Sequence, residues 1–293
     1  MPTKIEWTQE TWNPVTGCTP VSEGCDHCYA ARMSKRLQAM GKAKYRNGFK
    51  VTTHPESLAE PLRWRKPRMV FACSMSDLFH EAVPFDFIAA VYGVAAACPQ
   101  HTIQILTKRL GRAAEFYEWL DARASGGSQI ARCWAYAIRY EVPDFDVWPG
   151  SRQWPLPNVW LGVTAENQQR ADERIPILLQ IPAAVRFVSI EPMLGAMQLD
   201  GWFEHFTHER SNTLHSKSGV GPWEYPWLDW VICGGESGPG ARPMKPDWAR
   251  SLRDQCKSAG VPFFMKQMAK KAPIPDDLMI REMPGQKAAG EGQ

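Results

Sequence analysis

Thr16 to Ala30 reads TGCTPVSEGCDHCYA, and the rest of the chain is read outward from this stretch. Three cysteines, Cys18, Cys25 and Cys28, fall within eleven residues, and Gly17 and Gly24 each directly precede one of them. Glycine takes up positive φ at no steric cost, so a loop of this composition can fold tightly and turn its thiolates inward. Three thiolates from one short loop suit a metal or cluster that keeps a coordination position open. A closed zinc site takes a fourth ligand, whereas a four-iron cluster on three cysteines leaves one iron for another group. Two other readings stand beside it. Free cysteines often only fill core volume. A structural zinc would need His27 or His54 as its fourth ligand, although no second Cys-x-x-Cys or His-x3-5-His pair follows.

Downstream of the loop, Tyr29, Met33, Leu37 and Met40 recur at helical spacing and Gly41 closes the run, so a helix is expected there. Upstream, a short strand is expected around Lys4 to Thr8. The cysteine loop would then join strand one to helix one. Further strands are expected at Met69 to Cys73, His101 to Lys108, Asn158 to Val163, Val185 to Ile190, Leu228 to Cys233 and Val261 to Lys266. Helical patterns lie between them, near Phe87 to Ala97, Arg112 to Leu120, Gln168 to Leu179 and Asp247 to Ala259. Strand, polar tip and helix in repetition are the pattern of parallel βαβ units. The expected fold is α/β, a partial (β/α) barrel of six or seven parallel strands.

Two stretches break the rhythm and are expected to be aromatic-rich insertions. One, about 121–157, carries Trp134, Trp148 and Trp154; the other, about 201–226, carries His205, His208 and His215. A single domain is expected over 1–272, with a flexible C-terminal tail at 273–293. Polar residues gather where the strands end: Ser74, Ser76 and Asp77, then Lys108 and Arg109, Thr164 and Glu166, Glu191, Gly234-Gly235-Glu236, and Lys266 and Gln267. In parallel α/β folds that edge is where sites are built.

Residues 1–112 hold 15 Lys and Arg against 9 Asp and Glu, and the remainder 19 against 22. The basic character therefore sits in the half with the cysteine loop. Within it, Leu62 to Arg68 reads LRWRKPR, so Arg63, Arg65, Lys66 and Arg68 flank Trp64. Such a patch could follow the phosphates of DNA or RNA while the indole stacks on a base; it could equally be a solvated loop. No apolar run reaches eighteen residues, and the polar start MPTKIEWTQE reads as neither signal peptide nor membrane anchor, so no membrane partner is expected. Eight cysteines without a secretory signal point to a reducing, cytoplasmic setting.

Several blocks carry a family resemblance: TWNPVTGCTPVSEGCDHCYA, FACSMSDLFHEAVP, QILTKR, LPNVWLGVTAENQ, RFVSIEPMLG and DWVICGGESGPGARPM. Together they resemble the phage-associated Gp-thirty-seven/Gp-sixty-eight family, a radical S-adenosylmethionine-like group. The resemblance implies a [4Fe-4S] cluster on Cys18, Cys25 and Cys28 whose open iron binds S-adenosylmethionine, and an electron donor such as flavodoxin or ferredoxin. Cleavage of that cofactor would give a 5′-deoxyadenosyl radical that abstracts hydrogen from substrate. By position along the strands, Ser74, Ser76 and Asp77 are expected at the cofactor's methionine end, and Thr164, Glu166 and Glu191 at its ribose or amino group. Gly234, Gly235 and Glu236 are expected at the cofactor too, and Lys108, Arg109, Lys266 and Gln267 at the substrate. The spacing here is Cys-x6-Cys-x2-Cys rather than the commoner Cys-x3-Cys-x2-Cys, His27 replaces the usual aromatic, and Gly-Gly-Glu follows the sixth strand instead of the second. The leading expectation is thus a radical enzyme of nucleic-acid modification or repair. The alternatives are a zinc-stabilised nucleic-acid-binding protein without catalysis, or radical chemistry on a small metabolite or peptide.

Overall fold

A computed structural model of the chain describes residues 3, 5–124, 128–143, 145, 153–203 and 227–285. Seven strands form one sheet: β1 (Glu10–Trp12), β4 (Met69–Ala72), β5 (Thr102–Thr107), β6 (Val159–Thr164), β7 (Val185–Ile190), β8 (Trp230–Gly234) and β9 (Phe263–Gln267). Each lies beside its predecessor in the chain, and the pairings of β1 with β4, β4 with β5, β7 with β8 and β8 with β9 are parallel. This is the singly wound order of (β/α) barrels. Two short strands, β2 (Val15–Thr16) and β3 (Thr52–Thr53), pair separately as an antiparallel ribbon. Among the described residues the α-helices are α1 (Tyr29–Ala39), α2 (Phe85–Ala97), α3 (Leu110–Arg123), α4 (Gln129–Arg139), α5 (Gln168–Gln180) and α6 (Pro246–Ala259). None is long and apolar enough to cross a membrane.

The chain divides into two compact units, residues 1–162 with 181–184, and residues 163–180 with 185–293. In the first unit Trp12, Leu58, Phe79, Phe87, Ile88 and Phe116 are fully buried. Strand β1 starts later than expected. Residues 5–8 make a turn, with Thr8 N donating to Ile5 O, and it is Trp12 that enters the core, its Nε1 donating to Ser57 O at 2.8 Å. The first helix forms where expected, but its apolar stripe is at most half-buried, as at Met33 and Leu37. Tyr29 and Met40 are each 57% exposed, and Ser34 is its one buried residue, donating to Gly48 O at 2.6 Å.

The expected insertion at 121–157 is in part regular structure. Residues 129–139 form α4, capped by Ser128, whose hydroxyl accepts from Ala131 N at 3.2 Å. It buries Ile130, Cys133 and Ala137 against α2, a helix buried from Phe87 to Ala96 on all sides. Contact is backbone to backbone at Gly93, where a Cβ would lie 2.4 Å from Cys133 O. The expected insertion at 201–226, with His205, His208 and His215, lies almost wholly outside the described residues.

In the second unit Phe187, Trp230, Ile232, Leu252 and Phe263 form the core. The stretch from residue 273, expected as a flexible tail, bonds to the rest of the unit as far as Glu282. Edge strand β9 needs partners for its outer N–H groups. Phe263 N donates to Glu282 Oε2 and Met265 N to Ile280 O, both at 2.9 Å. Leu278 is buried, and Arg250 and Arg253 both reach Asp277 Oδ2 at 2.9 Å. Residues 286–293 lie outside the described residues.

Candidate functional site

In the first unit the charged groups gather where β5 ends, at Thr107-Lys108-Arg109. Arg109 turns its guanidinium inward at the start of α3. Its Nη1 donates to Cys18 Sγ at 3.4 Å and to Asp77 Oδ2 at 3.3 Å. Its Nη2 donates to the carbonyl and hydroxyl oxygens of Thr19 at 2.8 and 3.0 Å, and Nε to both Glu81 oxygens at 3.1 and 3.2 Å. The adjacent Lys108 places Nζ 3.9 Å from Cys25 Sγ. Two neighbouring cations thus stand at two of the three loop sulfurs.

Asp77 orients this end of the strand. Its Oδ1 accepts from Thr107 Oγ1 at 2.7 Å and Phe79 N at 3.0 Å; Oδ2 accepts from Lys108 N at 3.0 Å as well as from Arg109. Both oxygens are thereby engaged within the protein, so Asp77 acts as a positioning residue for Arg109. Beside it, His80 Nδ1 accepts from Ala82 N at 3.0 Å, which puts the ring proton on Nε2, 2.9 Å from Thr19 Oγ1. Burial and the nearby Arg109 depress the His80 pKa, so the ring stays neutral. Thr19, His80 and Glu81 were not among the residues singled out from the sequence. For His80 and Glu81 the signal was the polar run that follows β4, in SMSDLFHE; for Thr19 it was only its place next to Cys18.

The loop itself is anchored from below. Cys18 N donates to Phe49 O at 3.2 Å, and Gly17, at φ +83°, lies so close to Lys50 that a Cβ would sit 2.4 Å from its carbonyl carbon and oxygen. Cys18, Cys25 and Cys28 are all half-buried and reduced. Burial pushes the Cys18 thiol up to about 11, with Arg109 pulling the other way. Such a thiol holds its proton until a metal displaces it. Among the described residues no three His, Cys, Asp or Glu side chains converge around a single ion position. By kind and number the donors match those of an iron–sulfur cluster: three thiols on one loop, with cations at two sulfurs that would offset thiolate charge. His54 is committed elsewhere, Nε2 to Thr16 Oγ1 at 2.8 Å and Nδ1 to Glu56 Oε1 at 3.3 Å, so it is not placed as a fourth zinc ligand.

Several residues expected at a cofactor are tied into the fold. Ser74 donates to Asn13 Oδ1 at 3.2 Å and Ser76 to Val15 O at 2.8 Å, fastening the end of β4 to the chain after β1. In the second unit Glu166 is fully buried and accepts from Arg174 Nη1 at 2.9 Å, while Thr164 O accepts from the same nitrogen at 2.7 Å. Glu191 is ion-paired with Lys266, and Gln267 Nε2 donates to Gly235 O at 2.7 Å. Gly234 O accepts from Met193 N, and a Cβ on Gly235 would meet Ala269 N at 2.5 Å, so this glycine serves close backbone packing. Glu236 Oε2 accepts from Arg242 N at 2.7 Å and Oε1 from Arg242 Nε at 3.1 Å.

The Leu62–Arg68 patch is also partly committed. Arg68 pairs with Glu10 and lies over the Trp64 ring, 5.7 Å from its centroid. The indole also packs at 5.7 Å against the edge of His101. Arg63, Arg65 and Lys66 are exposed.

Fold and loop together define an α/β chain with a cysteine loop between its first strand and first helix. The chain belongs to the family described as a protein of unknown function, DUF5131, which matches residues 2–291. No curated protein matches it, and no solved structure does.

Proposed function

We propose that this chain is a radical S-adenosylmethionine enzyme in which Cys18, Cys25 and Cys28 hold a [4Fe-4S] cluster. The observation that carries the proposal is the placement of Lys108 and Arg109 at the sulfurs of Cys25 and Cys18. Each cation offsets part of the negative charge its sulfur would carry as a metal-bound thiolate. Arg109 fixes Cys18 through a guanidinium that Asp77, Thr19 and Glu81 hold in place, so the loop keeps its geometry when the thiols lose their protons. When bound, the cluster supplies the electron that cleaves the cofactor's sulfonium. The fold supports the proposal in kind: the loop follows the first strand of a parallel α/β sheet.

The test is anaerobic reconstitution with ferrous iron and sulfide. The proposal expects about four irons per chain on a three-cysteine site, a paramagnetic signal after reduction, and 5′-deoxyadenosine on adding S-adenosylmethionine. A colourless protein that takes up zinc and no iron would overturn it.

A further inference from the structure

Residues 29–50 contain seven lysines and arginines and no Asp or Glu. Lys44 pairs with Glu60 at 3.5 Å. The other six, Arg32, Lys35, Arg36, Lys42, Arg46 and Lys50, are all exposed and pair with no carboxylate among the described residues. Folded surfaces ordinarily intersperse the two signs, and a block of one sign repels itself. Here the block is nonetheless tied together by specific bonds and turns. Gly41 and Gly48 turn the chain at φ +68° and +61°, Ser34 donates to Gly48 O at 2.6 Å, and Gln38 Nε2 donates to Arg46 O at 3.0 Å. The block is fastened to the cysteine loop where Cys18 meets Phe49 and Gly17 meets Lys50.

A cavity of about 390 Å³ opens in the same region, lined by Asn47, Lys50, Thr52, Thr53 and Pro84 among others. Clefts of roughly 300–1,000 Å³ are the usual size for small-molecule recognition. Its wall sets one cation, hydroxyl and amide groups beside Val51, Ala82 and Pro84, a mixed lining that offers a nucleotide both hydrogen bonds and apolar contact. At the other end of the segment, directly after Cys28, the ring of Tyr29 is 57% exposed.

We propose that residues 29–50 are a docking surface for single-stranded nucleic acid, with the six cations on phosphates and one nucleotide in the cavity. Phosphates spaced along a strand match a run of cations without interleaved carboxylates, and they relieve its self-repulsion. A protein partner would meet an interface core depleted of charge, which this surface lacks. An unpaired base is needed both to enter the cavity and to stack on Tyr29, which favours a single strand over a duplex. This names the substrate class of the enzyme proposed above and rests on that proposal only for catalysis; binding is tested separately.

The experiment follows the anisotropy of short fluorescein-labelled single-stranded DNA and RNA with increasing salt, on the full chain. The two labels tell which sugar is accepted. Binding is expected for at least one, and the variant Arg32→Gln/Lys35→Gln/Arg36→Gln/Lys42→Gln should lower the slope of log affinity against log salt by about 0.7 for each phosphate no longer neutralised. Tyr29→Ala should weaken binding roughly 5- to 100-fold with that slope unchanged. Arg65→Gln/Lys66→Gln, in the other basic patch, should bind as the parent does. If the quadruple variant fails to fold, judged by circular dichroism, Arg32→Gln/Lys42→Gln replaces it. No binding at low salt, equal binding by the charge variants, or equal competition by polyglutamate would each overturn the proposal; the last would mark a site for acidic proteins. Oligonucleotide binding without iron uptake would sink the cluster and leave this surface standing. Iron uptake without oligonucleotide binding would do the reverse.

Discussion

Arg109 reaches Cys18 across 91 residues of sequence and donates to its sulfur at 3.4 Å from the same nitrogen that holds Asp77. The guanidinium and the carboxylate are both nearly buried, with side chains 5% and 8% exposed. A buried pair of this kind is expensive to break from one side, because the remaining charge loses its partner in a medium that solvates it poorly.

Arg109→Gln is therefore expected to lower the unfolding free energy by about 3–5 kcal/mol. The double variant Arg109→Gln/Asp77→Asn should lose less than the sum of the two single changes. Urea denaturation of the three variants measures this; additive losses would show that the two side chains are not coupled.

Cys18→Ala, Cys25→Ala and Cys28→Ala should each abolish iron uptake on anaerobic reconstitution. Cys98 and Cys256 are buried in the core, and their alanine variants should keep the full iron content while melting somewhat lower. Iron content per chain decides it. A full complement in any loop variant would remove that cysteine from the ligand set.

Glu236 accepts from both the backbone and the side chain of Arg242 in a nearly buried setting. Glu236→Gln is expected to cost about 1–3 kcal/mol of stability through those charge-assisted bonds. Calorimetric titration with S-adenosylmethionine should then give the parent affinity. Weaker binding at unchanged stability would return this side chain to a ligand-binding role.

Asp277 is held well below its ordinary range, at about 2, first by its hydrogen bonds from Arg250 and then by those from Arg253. A carboxyl depressed in the folded state contributes stability above its ordinary value and loses it as pH falls through the depressed one. The parent should thus melt above Asp277→Asn at pH 7, and the gap should close as pH falls from 4 toward about 2. A gap that persists at the acid end would mean that the carboxylate charge is not what holds residues 273–285 in place.

Strands rich in β-branched and aromatic residues were legible to within a residue or two, as at Val185 to Ile190, because a buried parallel strand leaves little else for such residues to do. Strand β1 was displaced because Lys4–Thr8 alternates plausibly, yet Trp12 supplies the burial. Helix α4 escaped notice since its buried positions, Ile130, Cys133 and Ala137, are mostly small and lie among exposed polar and aromatic residues. At the site, the three cysteines announced themselves by spacing. The roles of the strand-end residues did not, because an Asp or Glu at a strand tip reads alike whether it faces a ligand or an arginine from a distant segment. Asp77, Glu166 and Glu236 all face arginines. The basic balance of residues 1–112 was visible in composition, but only the fold shows that residues 49 and 50 pack against the cysteine loop.

The packing of α2 under α4 also bears on how the chain is made. Helix α2 is apolar on every side, and the helix that covers it starts 32 residues later, at Gln129 against Ala97. On a ribosome adding about 5–20 residues per second, α2 therefore emerges seconds before its cover exists. During that interval the nascent chain presents an uncovered apolar helix, a surface on which holding chaperones act and at which truncated chains would clump.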